Sequence, residues 1–419
     1  MIDSTFSKYN KTILIFLFLY LSLVFGFYID ENLNYGAIAD WLNTDKPVIL
    51  ALSEDIKKTL LSYESFGHRH SPLYLIFLSF FYKLGISLDL IRFFHLNLSI
   101  LLIYYFYKCL NFKFEQIDKN ILLLISFSLF LSPTFRSLSI WPSTRIIGMI
   151  FFVMSVYEFL KYQKFGNEKY IFKNLAFLIL SSYVSPNFSV FVIYFFFYYV
   201  KNENFILIIK YLFFCGTLSL PAFYYLFILD VNFLTAATPG SSDEEKIGLS
   251  FNFANKTIII SSIIFFHLLP FLFDKSIIEE FKKITKLNLL LFFLIFLISL
   301  FYFDYVPNYT GGGAFFQISH YFFNNNYFFY IISLISMFIL CFFSNKNLNN
   351  FLIFFILVIS NLQNTIYHKY YDPLILIIFF TIISNYLNKN FLIKKNNIYY
   401  LYFFYAFFIS MRLVKNYFI

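Results

Sequence analysis

The sequence contains little charge, glycine, proline or cysteine. Only 13% of its 419 residues are charged, and it has 12 glycines, 10 prolines and 3 cysteines. So little charge excludes an ordinary soluble domain, in which about 25% of residues are charged. Cys109, Cys215 and Cys341 lie far apart, in or beside apolar segments. They therefore predict neither a disulfide nor a metal site.

Apolar and aromatic residues dominate the chain. It is 60% hydrophobic and 25% aromatic, with a mean hydropathy of +0.70. Apolar runs of about 15–20 residues recur along its whole length, which predicts an all-α polytopic membrane protein forming one membrane domain over residues 1–419. We expect about 12 to 13 membrane-spanning helices, at 12–29, 89–108, 120–133, 145–161, 171–185, 188–200, 205–229, 256–273, 287–303, 327–343, 351–366, 373–387 and 398–414.

Lysines cluster in short loops on one side of this predicted bundle, which fits the positive-inside rule with a cytoplasmic N-terminus. The net charge of +9 therefore does not indicate nucleic acid. If residues 72–86 crossed the membrane, every later loop would change sides and the lysine bias would be reversed. We therefore predict an interfacial helix there, which begins near Pro72 and ends near Gly85. The C-terminus then lies on the outer side. Arg412 and Lys415 argue against this, because basic residues favour the cytoplasmic side.

We expect the chemistry in the first outer loop, residues 30–88, which we also expect to contain juxtamembrane helices. It opens with Asp30 and Glu31 at the membrane surface. A carboxylate there is partly desolvated yet open to substrates from lipid or water, which suits a general base for an acceptor hydroxyl. The alternative is that the pair only marks the helix end in the headgroup layer.

Further candidates for binding a substrate lie in this and later outer loops. His68, Arg69 and His70 supply charge-assisted donors that suit the phosphate of a lipid carrier, or they form a solvated loop tip. Their spacing matches no strong zinc motif. The second outer loop, 134–144, and its boundary offer Arg136, Trp141 and Arg145.

The last outer loop, 361–372, contains a dense polar and aromatic cluster with His368, Lys369 and Tyr370. The lysine suits a donor phosphate and the tyrosines suit a sugar. The alternative is an aromatic belt with a snorkelling lysine. Two other outer loops are interpreted as covers over the site. One contains an acidic run at 243–245, which is alternatively just solvated charge. The other contains three glycines at 311–313, which are alternatively a plain turn.

The order of residues over 1–110 resembles the GT-C superfamily of membrane glycosyltransferases, which includes protein O-mannosyltransferases, aminoarabinose transferases and dolichyl-phosphate-glucose glucosyltransferases. The residues that carry the resemblance follow the first span in this order: Asp30, Glu31, Tyr35, Ala37, Ala39, Trp41, His70, Pro72, Leu73, Tyr74 and Arg92. The run 367–373 more loosely resembles a junction near the end of the dolichyl glucosyltransferases. Ser71 departs from the pattern, since many members have a second proline there.

The resemblance implies inverting transfer of a sugar from a polyprenyl-phosphate donor to a hydroxyl of a lipid, glycan or protein acceptor, on the outer face of a bacterial inner or plasma membrane. It implies Asp30 as general base, with Glu31 orienting the acceptor or holding the loop. The expected substrate-binding residues are Tyr35, His68, Arg69, His70, Arg136, Trp141, Arg145, His368, Lys369 and Tyr370. Many relatives have an acid in the second outer loop, but 134–144 has none, so we expect no metal, and no cofactor.

Two other functions remain open. An envelope polysaccharide polymerase or ligase would also use lipid-linked glycans, and would depend on Arg69, His70 and Arg136 more than on Asp30. A transporter is least favoured, because transporters keep ionisable groups inside their spans. The predicted spans hold few such groups, Arg92, His95, Glu158 and His267 among them.

Overall fold

The computed structural model of the chain describes residues 2–67, 71–227, 252–273, 279, 281–306, 311–361, 363, 365–394 and 396–418. The regular elements in these ranges are helices, apart from an isolated bridge between Gly311 and Tyr367. This confirms the prediction of an all-α fold.

The longer helices of the first half are α1 (Ile2–Tyr28), α2 (Tyr35–Asp40), α3 (Lys46–Glu54), α4 (Ile56–Leu61), α5 (Leu73–Lys83), α6 (Leu88–Lys113), α7 (Lys119–Phe127), α8 (Pro133–Ile140), α9 (Thr144–Phe165), α10 (Glu168–Val184), α11 (Val192–Asn202) and α12 (Phe205–Phe227). Those of the second half are α13 (Phe253–Leu268), α14 (Lys286–Phe301), α15 (Gly313–Phe323), α16 (Tyr327–Ser344), α17 (Leu348–Ile359), α18 (Leu374–Thr381), α19 (Tyr386–Ile393) and α20 (Asn397–Phe418).

Seven of the described helices are long and apolar enough to cross a bilayer, which indicates a multi-pass membrane protein. They are α1, α6, α9, α12, α13, α16 and α20. An eighth span results if Lys119–Leu131 and Pro133–Ile140, which meet at a 67° bend, are counted as one. Helices α5, α14 and α17 are apolar but shorter.

Burial distinguishes the central helices from the peripheral ones. In α9 and α13, 72% and 78% of the apolar window is buried inside the protein, whereas in α1 and α12 only 22% and 17% is buried. An apolar helix surface that no protein covers is stable when lipid covers it. Helices α9 and α13 therefore form the core, and α1 and α12 present most of their surface outwards.

The first loop contains several short helices, as predicted. Helix α5 follows Pro72, and Gly85 lies just beyond its end with a positive φ of 84°. Its 11 residues span only about 16 Å, too short for a hydrocarbon core of about 30 Å. A short helix over this stretch is thus confirmed, while its interfacial position stays a prediction.

The second outer loop differs from the prediction. Instead of an open loop over 134–144, the chain forms α8, in which every residue is buried. Ser132 caps this helix, since its Oγ accepts a hydrogen bond from the Phe135 amide at 3.0 Å, and Pro133 occupies the first turn. Both residues are signals for the start of a helix, and burial of its side chains stabilises α8.

The contacts of α1 show which other helix ends lie at each end of the bundle. Near its start, Thr12 donates to Asn120 Oδ1 at 3.1 Å, close to the beginning of α7. Beyond its end, the backbone oxygen of Asn32 accepts from Asn416 Nδ2 at 2.6 Å. The last turns of α20 therefore lie at the end of the bundle that carries residues 30–32, which we call the Asp30 end.

Candidate functional site

Helix α1 ends in a Schellman motif with Asp30 at the left-handed position. The Glu31 amide donates to the Gly26 carbonyl at 2.8 Å, and the Asp30 amide donates to the Phe27 carbonyl at 3.3 Å. Asp30 has a φ of 50°, where glycine is the usual residue. Non-glycine residues in this region cost about 1–3 kcal/mol and cluster at functional sites.

The Asp30 carboxylate is paired but remains accessible. Its Oδ1 accepts from Arg92 Nη2 at 2.7 Å, and 61% of its side chain is exposed. Arg92 also reaches Asp89 at 3.3 Å. The guanidinium lies 3.9 Å from the centroid of the Trp141 ring and 5.0 Å from that of Phe27. Held between two rings, Arg92 fixes one oxygen of Asp30 and leaves the rest of the carboxylate open.

Glu31 is instead fixed by Arg136. Its two oxygens accept from Arg136 Nε and Nη2, each at 2.7 Å, and only 16% of its side chain is exposed. The other N–H groups of Arg136 donate to Ser22 and to the Phe130 carbonyl at 2.9–3.4 Å. A Cβ on Gly26 would approach Glu31 Oε2 to 2.9 Å, so glycine makes room for this pair. All five donors of Arg136 are occupied.

Helix α8 and Trp141, which follows it, connect the ion pair of Glu31 and Arg136 to α6. Trp141 Nε1 donates to the Glu31 carbonyl at 3.1 Å. His95 lies completely buried, with Nε2 2.8 Å from the Leu138 carbonyl and Nδ1 2.5 Å from the Tyr74 hydroxyl. With Nε2 protonated and donating to Leu138, Nδ1 accepts from Tyr74. Helix α5 is thereby fixed to α6 and α8.

A second group of predicted residues forms around Lys369 and Tyr370. Lys369 Nζ lies 2.9 Å from Asp40 Oδ2, and a Cβ on Gly36 would come within 2.9 Å of that nitrogen. Burial lowers the pKa of Lys369, but Asp40 and Tyr370 outweigh it and raise the pKa above its ordinary value. The Lys369 side chain therefore stays charged while only 13% exposed.

Arg145 packs on the same tyrosine. Its guanidinium carbon lies 4.4 Å from the Tyr370 ring centroid, and Nη2 donates to the Tyr370 carbonyl. The residue is only 5% exposed. Its Nε and Nη1 are buried and have no hydrogen-bond partner within the described part of the chain. Arg145 is thus a fixed cation with donors left over.

His368 and Asp372 turn into the bundle instead. His368 Nε2 lies 2.8 Å from His267 Nε2. Burial, with His267 and Arg412 adding to it, lowers the pKa of His368 well below its ordinary value. Asp372 Oδ2 accepts from Ser132 Oγ at 2.7 Å and from the backbone amide at the start of α8 at 3.1 Å. Burial raises the pKa of this carboxyl.

The glycine segment lies against the last predicted outer loop. The Gly312 amide donates to the Ile366 carbonyl at 3.0 Å, and Gly312 and Gly313 have φ of 85° and 79°. Here the glycines serve a tight backbone turn and a close backbone approach. The acidic run at 243–245 lies outside the described residues.

The predicted site residues thus fall into separate groups. Glu31 meets Arg136 and Trp141, and Asp30 meets Arg92. Tyr370 meets Arg145, and Lys369 pairs with Asp40. His368 faces away from both groups. Tyr35 is the first residue of α2, and His68, Arg69 and His70 lie outside the described residues.

From the sequence, Arg92 was named as the residue that opens the second span, Asp372 was named only as part of the run 367–373, and Asp40 was missed. For Arg92, the signal was an arginine one turn into an apolar helix. For Asp372, the signal was an aspartate before the apolar α18 segment. No local pattern distinguishes Asp40. In the described ranges no three His, Cys, Asp or Glu side chains are grouped to hold a metal ion.

Comparison of the chain with protein-family models, with curated proteins and with solved structures gives no match.

Proposed function

We propose that the chain is a GT-C-type glycosyltransferase that transfers a sugar from a polyprenyl-phosphate donor to an acceptor hydroxyl at the outer face of the membrane. One observation carries the proposal. Of two adjacent carboxylates at the end of a span, Asp30 is 61% exposed and held in an unfavourable backbone conformation. Glu31 is only 16% exposed and bound by arginine on both oxygens. The exposed, oriented carboxylate suits a general base.

The proposed reaction is a single displacement. The acceptor oxygen attacks the anomeric carbon of the sugar while its proton passes to the Asp30 carboxylate. The bond between that carbon and the phosphate oxygen breaks, and the polyprenyl phosphate leaves with the electron pair. Attack opposite the leaving group inverts the anomeric carbon. Arg145 and Lys369 would stabilise the negative charge that the leaving phosphate gains.

Glu31 and Arg136 would hold the loop rather than touch the substrate. Arg136 has no free donor for a phosphate, because Glu31, Ser22 and Phe130 accept all of its hydrogen bonds. This also weighs against a polymerase or ligase that depends on Arg136. In the proposed topology about 12 to 13 segments cross the membrane, α5 lies along its surface, and the Asp30 end faces outwards.

Asp30→Asn tests the base directly. Asparagine tolerates the left-handed conformation, so the variant should fold normally. In proteoliposomes supplied with a panel of radiolabelled polyprenyl-phosphate sugars and cell-envelope acceptors, we expect transfer to fall about 10²–10⁴-fold, the usual contribution of a general base.

Asp89→Asn is the matched control. Asp89 also pairs with Arg92 and its side chain is 82% exposed, but it lies in the first turn of α6 rather than at the loop. This variant should keep transfer near that of the unmodified protein. Full activity in Asp30→Asn, or an equal loss in both variants, would remove Asp30 from the role of base.

A further inference from the structure

Asn34 precedes helix α2 but does not cap it. Asparagine is a preferred N-cap residue because its side-chain oxygen usually accepts a hydrogen bond from a backbone amide of the first turn. At the N-cap position of α2, the Asn34 side chain makes no such bond. Its Nδ2 is buried and has no hydrogen-bond partner within the described part of the chain. The amide group of Asn34 therefore does not stabilise the start of the helix.

This amide lies beside the ion pair of Asp40 and Lys369. A Cβ on Gly36 would lie 2.9 Å from Lys369 Nζ and 3.7 Å from Asn34 Oδ1. Lys369 Nζ in turn lies 2.9 Å from Asp40 Oδ2, and 57% of the Asp40 side chain is exposed. We call this group of four residues the Asn34 cluster: Asn34, Gly36, Asp40 and Lys369. It brings together an amide, a carboxylate and an ammonium group.

The helix that carries three of these residues is distorted directly after Asp40. Helix α2 continues without a break through a π-helical turn, Trp41–Asp45, into α3. Such turns are rare and occur frequently at functional sites. Trp41 and Asp45, at the two ends of the turn, are buried. The turn is thus anchored in the protein while Asp40, just before it, stays exposed.

The groups of the Asn34 cluster suit the hydroxyl groups of a sugar. An amide donates and accepts hydrogen bonds, and a carboxylate accepts them. The terminal torsion of an asparagine side chain is broad, so rotation of the Asn34 amide can bring Nδ2 or Oδ1 to a ligand. Among the described residues, Asp40 binds Lys369 through Oδ2, which leaves Oδ1 for a hydroxyl. Because one carboxylate faces one ammonium, the charges within the cluster cancel.

We propose that Asn34 and Asp40 determine which sugar is transferred, by binding hydroxyl groups of a neutral sugar. The inference rests on the proposed function, in which Lys369 meets the phosphate that is bonded to the anomeric carbon. Asn34 and Asp40 lie next to Lys369, so they are placed beside the sugar. An acidic sugar would meet the Asp40 carboxylate and an amino sugar would meet the Lys369 ammonium, which disfavours both.

The test measures binding of lipid-linked sugars to the full-length protein by native mass spectrometry, with no acceptor present. The probes are polyprenyl phosphates that carry neutral hexoses or pentoses, their deoxy analogues, a uronic acid or an amino sugar, and polyprenyl phosphate alone. We expect a neutral sugar to bind about tenfold or more tightly than the uronic acid and the amino sugar. Tightest binding of a charged sugar, or equal binding of all probes, would overturn the proposal.

Asn34→Ala tests the contact with a hydroxyl. In the unmodified protein, removal of the hydroxyl that Asn34 binds should weaken binding of the sugar probe about tenfold, because a hydrogen bond is lost. In Asn34→Ala the same deoxy analogue should bind as tightly as the complete sugar. Binding of polyprenyl phosphate alone should not change. If the ratio between sugar and deoxy analogue stays as in the unmodified protein for every hydroxyl, Asn34 does not read the sugar.

Asn167→Ala is the matched control. Asn167 is the N-cap of α10, and its side chain accepts a hydrogen bond from the Lys169 amide at 3.0 Å. Loss of this cap should lower the midpoint of thermal unfolding and leave sugar binding unchanged. Asn34→Ala removes no cap, so it should change sugar binding without lowering the midpoint.

Asp40→Asn tests the balance of charge. The variant keeps an oxygen that can accept from Lys369 but leaves the ammonium charge uncompensated. Binding of the uronic acid probe should therefore rise about tenfold relative to the neutral sugar. An unchanged preference would show that the charge of Asp40 does not select the sugar.

The binding assay involves no sugar transfer, so the two proposals can fail separately. The expected binding pattern together with no transfer in the Asp30 assay leaves the sugar recognition standing and removes the glycosyltransferase. Transfer that depends on Asp30, with a sugar preference that ignores Asn34 and Asp40, does the reverse.

Discussion

At the scale of single residues, the adjacent carboxylates Asp30 and Glu31 differ because the backbone turns between them. The left-handed φ of Asp30 closes the cap of α1 and directs the chain back over Gly26. Glu31 then reaches Arg136, which is 5% exposed, while Asp30 reaches Arg92 at a more accessible position. Exposure, rather than residue type, separates a candidate base from a structural ion pair.

The ion pair of Glu31 should therefore be costly to break. In Arg136→Gln, Glu31 loses its partner at a site only 16% exposed, and breaking a buried pair costs about 3–5 kcal/mol. We expect a clearly lower midpoint of thermal unfolding in detergent. Lys164→Gln is the control, because Lys164 and Glu115 are 43% and 58% exposed and such a pair contributes about 0–1 kcal/mol. Equal midpoints for the two variants would contradict the structural role of Arg136.

At the scale of elements, the sequence predicted α5 better than α8. Pro72 and Gly85 delimit α5 locally, and both act as predicted. Helix α8 has equally local start signals in Ser132 and Pro133, but its length and polarity suggested a loop. What makes it a buried helix is a partner far away in sequence, since Asp372 accepts from Ser132 and from the Thr134 amide.

The same reason explains how much of the candidate site could be predicted. Asp30, Glu31, Lys369 and Tyr370 were found from local patterns, because a polar residue beside an apolar run is visible in sequence. Which residue each of them pairs with could not be predicted, since each partner comes from a distant segment. Asp40 lies 329 positions from Lys369 and Arg136 lies 105 positions from Glu31.

The start of α8 offers a test at this scale. Ser132→Ala removes the cap, worth about 0.5–2 kcal/mol, and takes one hydrogen bond from the buried Asp372 carboxylate. Ser87→Ala removes a similar cap from α6, where Ser87 Oγ accepts from the Leu90 amide at 3.3 Å at an exposed position. We expect Ser132→Ala to lower the unfolding midpoint more and to speed hydrogen exchange in α8. An equal effect of both substitutions would show that Asp372 does not depend on Ser132.

At the scale of the whole molecule, residues 368–372 connect parts of the chain that are distant in sequence. Lys369 contacts α2, His368 contacts α13, and Asp372 contacts the start of α8. Ions and polar groups inside an apolar bundle are costly unless they are paired. These contacts therefore fix how the first loop sits on the core, and a change in the charge of one of them should affect the entire bundle.

His368 makes the bundle's stability depend on pH. Burial, with His267 and Arg412, lowers the pKa of His368 well below its ordinary value, so the folded protein holds it neutral. In the unfolded chain the imidazole gains a proton as pH falls through about 6.5. The unfolded state then binds more protons than the folded state, and stability falls as pH falls below that value.

We expect the midpoint of thermal unfolding in detergent to drop between about pH 7.5 and pH 5.5, and to drop less in His368→Gln, because glutamine gains no proton in this window. His320→Gln is the matched control. His320 lies in α15 and is not part of the pair of His368 and His267, so it controls for the loss of a histidine elsewhere in the protein. A drop of the same size in the unmodified protein and in His368→Gln would show that the pairing of α13 with the last predicted outer loop does not depend on a neutral His368.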